Sequence, residues 1–149
     1  MSRVLGIDYG ARRVGYALSD VLRMIATPLC VHTRARPGDD VARTLELCAE
    51  HKVGQLVVGL PLKMDGTSGE AVDLVNDFIR RLQLKTGLPV IRWDERLSTV
   101  SAEQIMTAGG AKRNRKRELV DKIAAQIILQ HYLDSTDAPL QPPGNHDPL

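Results

Sequence analysis

Two short apolar runs, Gln55–Leu60 and Pro89–Trp93, flank a segment whose residues Val72, Val75, Ile79 and Leu82 recur at helical spacing. Strand, helix, strand over a crossover this long predicts two parallel strands, because a hairpin cannot return the chain in the same direction. Upstream, residues 3–8, Val14–Leu18 and Met24–His32 read as three strands, separated by turn signals at Gly10-Ala11-Arg12 and Ser19-Asp20. That segment predicts an antiparallel meander. The expected class is therefore α/β, a mixed five-stranded sheet with three antiparallel strands followed by two parallel ones, and helices on both faces.

The helices are read from their apolar stripes. Pro37 and Asp39 open the first, with Val41, Leu45, Cys48 and Ala49 on one face. Gly87 is expected to end the second. Ser98 or Thr99 caps a third that carries Ala102, Ile105 and Met106 and stops at Gly109-Gly110. A loop holding Lys112, Arg113, Arg115, Lys116 and Arg117 follows. The last helix is expected over about 118–133, with Val120, Ile123, Ala124, Ile127 and Ile128 as its stripe. A length of 149 residues suits one domain, placed at 1–133. Four prolines after Asp134 predict a disordered tail over 134–149.

No apolar run approaches the roughly 20 residues needed to span a bilayer. Asp8 interrupts the first apolar stretch too early for a secretion signal, so the expected location is the cytoplasm. Cys30 and Cys48, with His32 and His51 nearby, fit no paired zinc spacing and are read as buried free thiols.

The net charge of +2 conceals a local concentration. Five of the six residues from 112 to 117 are basic, and without them the remaining 15 basic residues are outnumbered by 18 acids. Six arginines against Asp8 and Asp20 give the first 36 residues a second, milder excess. Such patches are the electrostatic footprint of a polyanion. Aromatic residues make up 3% of the chain, too few for a base-stacking platform. Binding would rest on phosphates, through Arg13, Lys63, Arg96 and the 112–117 segment, and would favour shape over base sequence.

Ligands of open α/β sheets gather beyond the carboxyl ends of the strands. Asp8 closes the first strand, Asp94-Glu95 closes the last, and Asp121 stands in the first turn of the expected final helix. Three acids from distant positions can meet there only if one keeps its proton or a cation lies among them. An all-carboxylate set suits a hard cation, Mg²⁺ or Mn²⁺, and two such ions can assist phosphodiester displacement without a nucleophilic side chain.

Four segments occur in order: Gly6-Ile7-Asp8-Tyr9-Gly10 with Arg13-Val14-Gly15; Gly59-Leu60-Pro61-Leu62 with Asp65-Gly66-Thr67; Asp94-Glu95-Arg96-Leu97-Ser98-Thr99; and Val120-Asp121-Lys122-Ile123-Ala124-Ala125. Together they resemble the YqgF/RuvX family over residues 3–133. The resemblance implies a ribonuclease H-like fold and a metal-dependent nuclease. Holliday-junction resolution and 5′-end maturation of 16S ribosomal RNA have both been assigned to members. It further implies that Asp8, Glu95 and Asp121 are the catalytic and metal-binding carboxylates. Glu95 belongs to the fifth strand, two spacings of about 4.8 Å from the first, so it must reach inward. Asp65, in the loop after the fourth strand, is the rival ligand.

Nucleic acid is the expected partner, as branched DNA or structured precursor rRNA, met by a monomer or homodimer. Two other readings stay open. One is a non-catalytic RNA-binding or ribosome-assembly factor. The other is a phosphate-binding ATPase domain built on the Gly6–Gly10 turn.

Overall fold

The computed structural model describes residues 2–62, 69–95 and 113–136, with side chains over 117–135 in the last stretch. The chain runs β1 (Arg3–Tyr9), β2 (Arg13–Ser19), β3 (Ala26–Thr33), α1 (Asp39–Glu50), β4 (Val53–Leu60), α2 (Glu70–Gln83), β5 (Val90–Asp94) and α3 (Arg113–Thr136). The five strands form one sheet in the order β3-β2-β1-β4-β5. β1 pairs antiparallel with β2 and parallel with β4, β2 pairs antiparallel with β3, and β4 pairs parallel with β5. The mixed sheet expected from the sequence is the sheet observed.

Side-chain alternation divides the core in two. From β1, Leu5, Ile7 and Tyr9 pack with Val14, Tyr16, Leu56 and Val58 beneath α1 and α2. Val4, Ala17, Ala26 and Val57 point to the other face and meet Ala125, Ile128, Leu129 and Leu133 of α3. β1 is central and covered on both sides, which is why its sequence is apolar with little alternation. The outer strand β3 carries Pro28 opposite Ala17, and the pairing with β2 shifts register between Tyr16 and Ala17.

The helices depart from expectation in four respects. α1 buries Val41, Thr44, Leu47 and Cys48 together with Asp40, whereas Leu45 is half-buried and Ala49 exposed. The buried stripe is shifted from the expected one because Asp40, a charged residue, holds one of its positions. α2 ends at Gln83 rather than running on to Gly87, since Lys85 and Thr86 both turn back to the Leu82 carbonyl.

α3 begins at Arg113, so most of the basic segment is helical rather than a loop. Arg and Lys are good helix formers, and no Gly or Pro follows Gly110 before the helix is established. Their unfavourable position near the positive end of the macrodipole is outweighed by packing further along. The buried stripe of α3 is also rotated from the expected one. Ala124, Ala125, Ile128, Leu129 and Leu133 are buried, while Val120, Ile123 and Ile127 are half-buried. The loop 63–68, the helix expected before Gly109-Gly110, and residues 137–149 lie outside the described residues.

Asp40 is buried at 1% exposure and holds the α1–α2 face together. Its carboxylate accepts two bonds from Arg81 at 2.9 Å each and one from the Tyr9 hydroxyl at 2.5 Å. Burial alone would raise its pKa, but the Arg81 donors, the Tyr9 hydroxyl and the Val41 amide outweigh burial and hold it below the usual carboxylate range. Asp40→Ala would strand Arg81 and Tyr9, costing about 3–5 kcal/mol in a urea unfolding curve. Because folding lowers this pKa, the contribution should be complete above the unfolded value of about 3.9 and be lost as pH falls towards the folded one. Acid unfolding monitored by circular dichroism should therefore separate the wild type from the variant fully above about pH 4, and the gap should narrow progressively as pH falls further.

Candidate active site

The site lies on the α3 face, at the carboxyl end of β1. Asp8 stands opposite Gly15 of β2. It follows Ile7, which is level with Val58, so Gly59 of β4 comes next to Asp8 on the other side. The Asp8 carboxylate is thus flanked by two positions that carry no side chain, and each flank admits another acid.

Gly15 admits α3. A methyl group built on Gly15 would lie 2.2 Å from the backbone oxygen of Asp121. Real carbon–oxygen contacts do not come so near, so any side chain at 15 would lift the helix from the sheet. Asp121 stands one turn before Ala125, in the face of α3 that is pressed to the strands. It lies in the third turn of the helix rather than the first, because α3 starts earlier than expected. The Arg13 Nε donates to its Oδ2 at 2.6 Å, with both side chains largely covered.

Gly59 admits Glu95. β5 ends at Asp94, opposite Leu60, and Glu95 follows directly. A methyl group on Gly59 would lie 2.6 Å from the Glu95 Oε2 and 2.7 Å from the Ile128 Cδ1. The Glu95 carboxylate therefore lies across β4, over the gap that Gly59 leaves. This answers how a residue of the fifth strand reaches the first.

The electrostatics record the convergence. Asp8 has its pKa raised well above the usual carboxylate value, by burial first, then by the charges of Glu95 and Asp121. Three negative groups from β1, the end of β5 and α3 share one neighbourhood. Among the described residues, no three acidic, histidine or cysteine side chains stand together as a ready-made metal cage. The all-oxygen character of this set, and the mutual repulsion that disfavours ionised Asp8, fit a hard divalent cation.

The remaining sequence candidates fall into three groups. Asp65, Lys63, Arg96 and Lys112 lie outside the described residues. Arg113, Arg115 and Lys116 belong to the first turns of α3, with side chains outside the described set. Arg117 is exposed and lines an open cavity with Arg12, Arg13 and Arg34. Tyr9, Tyr16 and Phe78 are buried, and Trp93 packs edge-on against Tyr132. The sequence reading missed Arg34, Asp40 and the role of Gly59. A glycine interrupting an apolar strand was the available signal for the last of these.

The family described as "RuvX: Holliday junction resolvase" matches residues 2–135. The chain belongs to the RuvX family. A relative from Syntrophus aciditrophicus, named "Putative pre-16S rRNA nuclease", is 43% identical over 133 residues, covering 89% of this chain and 89% of its own. A relative of the same name from Rhodobacter capsulatus is 44% identical over 129 residues, covering 87% of this chain and 81% of its own. The solved structure of Thermus thermophilus RuvC with a Holliday junction substrate superposes with a TM-score of 0.56 at 20% identity, covering 91% of this chain and 96% of RuvC. Fowlpox virus resolvase with Holliday junction DNA superposes at 0.52 and 9% identity, over 91% of this chain and 99% of the viral one. Those likenesses establish a shared resolvase-type fold, the ribonuclease H-like sheet that the four motifs implied.

The two glycines of this RuvX-family chain should respond differently to substitution. At Gly59 the obstructing atoms are the far ends of Glu95 and Ile128, which can move. Gly59→Ala should therefore lower the rate of nucleic-acid cleavage far more than it lowers the melting temperature. At Gly15 the obstruction is helix backbone, so Gly15→Ala should destabilise by several kcal/mol, as overpacking against a rigid neighbour does. Calorimetry and cleavage rates on both variants check the contrast, and the reverse order of effects would contradict this geometry.

Proposed function

We propose that this RuvX-family chain is a divalent-metal-dependent endonuclease that hydrolyses phosphodiester bonds in structured nucleic acid. The observation that carries the reading is the crowding of Asp8 by Glu95 and Asp121 on one face of the sheet. Like charges are not assembled in a partly dry site without a function that uses them. The family match and the names of its relatives support a nuclease of the junction-resolving or pre-rRNA type.

Asp8, Glu95 and Asp121 would hold Mg²⁺ or Mn²⁺. When bound, such ions supply positive charge to the phosphoryl oxygens and to the attacking and leaving oxygens of the displacement. Every other contribution comes from this chain. Asp8, on the central strand, is the fixed member of the set, since β1 is paired on both sides. Glu95 reaches it through the space over Gly59, and Asp121 is oriented by the Arg13 guanidinium. Arg13 keeps further N–H donors that can turn towards a substrate phosphate while its Nε holds the carboxylate. Phosphate-led binding suits a branched or folded polynucleotide, and the absence of stacking aromatics argues against selection by base. Four-way DNA junctions and precursor 16S rRNA are the two substrates to compare.

Purified protein with millimolar Mn²⁺ or Mg²⁺ should cut at least one of these two substrates, and Asp8→Asn should abolish cutting while leaving binding. Binding without cleavage under all these conditions would identify a nucleic-acid-binding factor instead. Asp8→Asn should also raise the melting temperature of metal-free protein, because it removes a carboxylate whose ionised form the fold disfavours. Added Mn²⁺ should raise the melting temperature of the wild type by mass action and leave that of Asp8→Asn nearly unmoved.

A further inference from the structure

Beside the carboxylates, on the β2–β3 side of Asp121, lies an open cavity of about 410 Å³. Arg12, Arg13, Thr33, Arg34, Arg117 and Glu118 line it. Four guanidinium groups against one carboxylate leave a net charge of +3 within a space of molecular size. Arg13 spends part of its charge on Asp121. The side chains of Arg12 and Arg117 make no ion pair or hydrogen bond among the described residues, although charged side chains this near an acid-rich site could readily find one.

Arg34 distinguishes this cavity from an ordinary basic surface. Its Nη1 donates to the carbonyls of Gly10 at 3.3 Å and Ala11 at 2.8 Å. Its guanidinium lies over the Tyr9 ring, 4.9 Å from the centroid, and its Nε stands 3.6 Å from the buried Asp40 carboxylate. The group is therefore fixed before any ligand arrives, and the ordering cost of binding to it is already met. Its position also sets that of Arg12 and Arg13, because the same turn carbonyls belong to the hairpin that Gly10 and Arg13 close with a 2.9 Å backbone bond. The Arg34 amide completes the arrangement with a 2.8 Å bond to the Arg12 carbonyl. One buried acid thus anchors one arginine, and that arginine positions the turn bearing two more.

We propose that Arg12, Arg34 and Arg117, with the Thr33 hydroxyl, form a subsite for a single backbone phosphate flanking the scissile one. Planar guanidinium groups match phosphate oxygens bidentately, and the threonine hydroxyl adds a neutral donor. Arg117 precedes Asp121 by four residues of α3, about 6 Å along the helix. The subsite is therefore one step from the carboxylates, with Arg13 between the two. Glu118 at the same cavity disfavours a second phosphate and limits occupancy to one. This assignment rests on the nuclease reading, and it adds a direction: the bound strand runs from the carboxylates towards the β2–β3 end of the sheet.

The test is the salt dependence of binding to a labelled four-way DNA junction and to a precursor 16S fragment, measured in EDTA so that no cleavage occurs. Arg12→Gln and Arg117→Gln are combined, since both side chains are exposed and neither supports the fold. The slope of log K against log salt should fall in magnitude by about 1, the value for one phosphate contact. Melting temperature should be unchanged. An unaltered slope would overturn the subsite, and so would a fall of about 2, which would mean two separate phosphates. If the wild type binds neither probe, the nucleic-acid reading itself fails. If it binds and the double variant keeps the wild-type slope, only the subsite fails. A junction carrying one uncharged methylphosphonate provides a second measurement. One position should weaken the wild type and leave the double variant indifferent.

Discussion

The seating of α3 directly on the strands is the constraint from which the site follows. A helix normally stands off a sheet by the length of the side chains between them. Here Gly15 removes one layer of side chain, and Ala124 and Ala125 shorten the other. Only this close approach lets Asp121 look at Asp8 rather than over it. The same helix places Ile128 against Gly59, so its seating also borders the space through which Glu95 arrives. Apolar packing and functional geometry are one requirement here, met by the same residues.

The two faces of the sheet have divided their work. Beneath α1 and α2 the core is conventional, with Phe78 stacked on Tyr9 at 4.2 Å and aliphatic side chains filling the rest. The one charge buried there among the described residues, Asp40, is fully compensated. On the α3 face, by contrast, burial and the neighbouring Glu95 and Asp121 disfavour the ionised form of Asp8. A protein of this size has a stability of only about 5–15 kcal/mol, so a disfavoured carboxylate is a real cost that the opposite face must offset. Strain of this kind is what functional sites exchange for readiness.

Much of this was legible in the amino-acid order. The crossover between β4 and β5 and the meander before it follow from apolar runs and turn residues, and each strand was located to within about two residues. The acids were legible too, because Asp8 ends a buried run and Asp121 neighbours two alanines. Helix boundaries and phases were less so. Asp40 occupies a core position that no hydropathy pattern would assign to an acid, since its partners Arg81 and Tyr9 lie far away in sequence. The start of α3 was obscured by a run of like charges, whose local cost is outweighed by burial several turns later. The reach of Glu95 could not be read from spacing, because it depends on the absence of a side chain on a neighbouring strand.

The outer strand β3 has a consequence for assembly. Pro28 deprives it of one main-chain donor, and the register shift beside it twists the exposed border. A continuous ten-stranded sheet made by joining two such borders is therefore disfavoured. Should two molecules act together on a symmetric four-armed substrate, the β3 border is a poor place for their sheets to join.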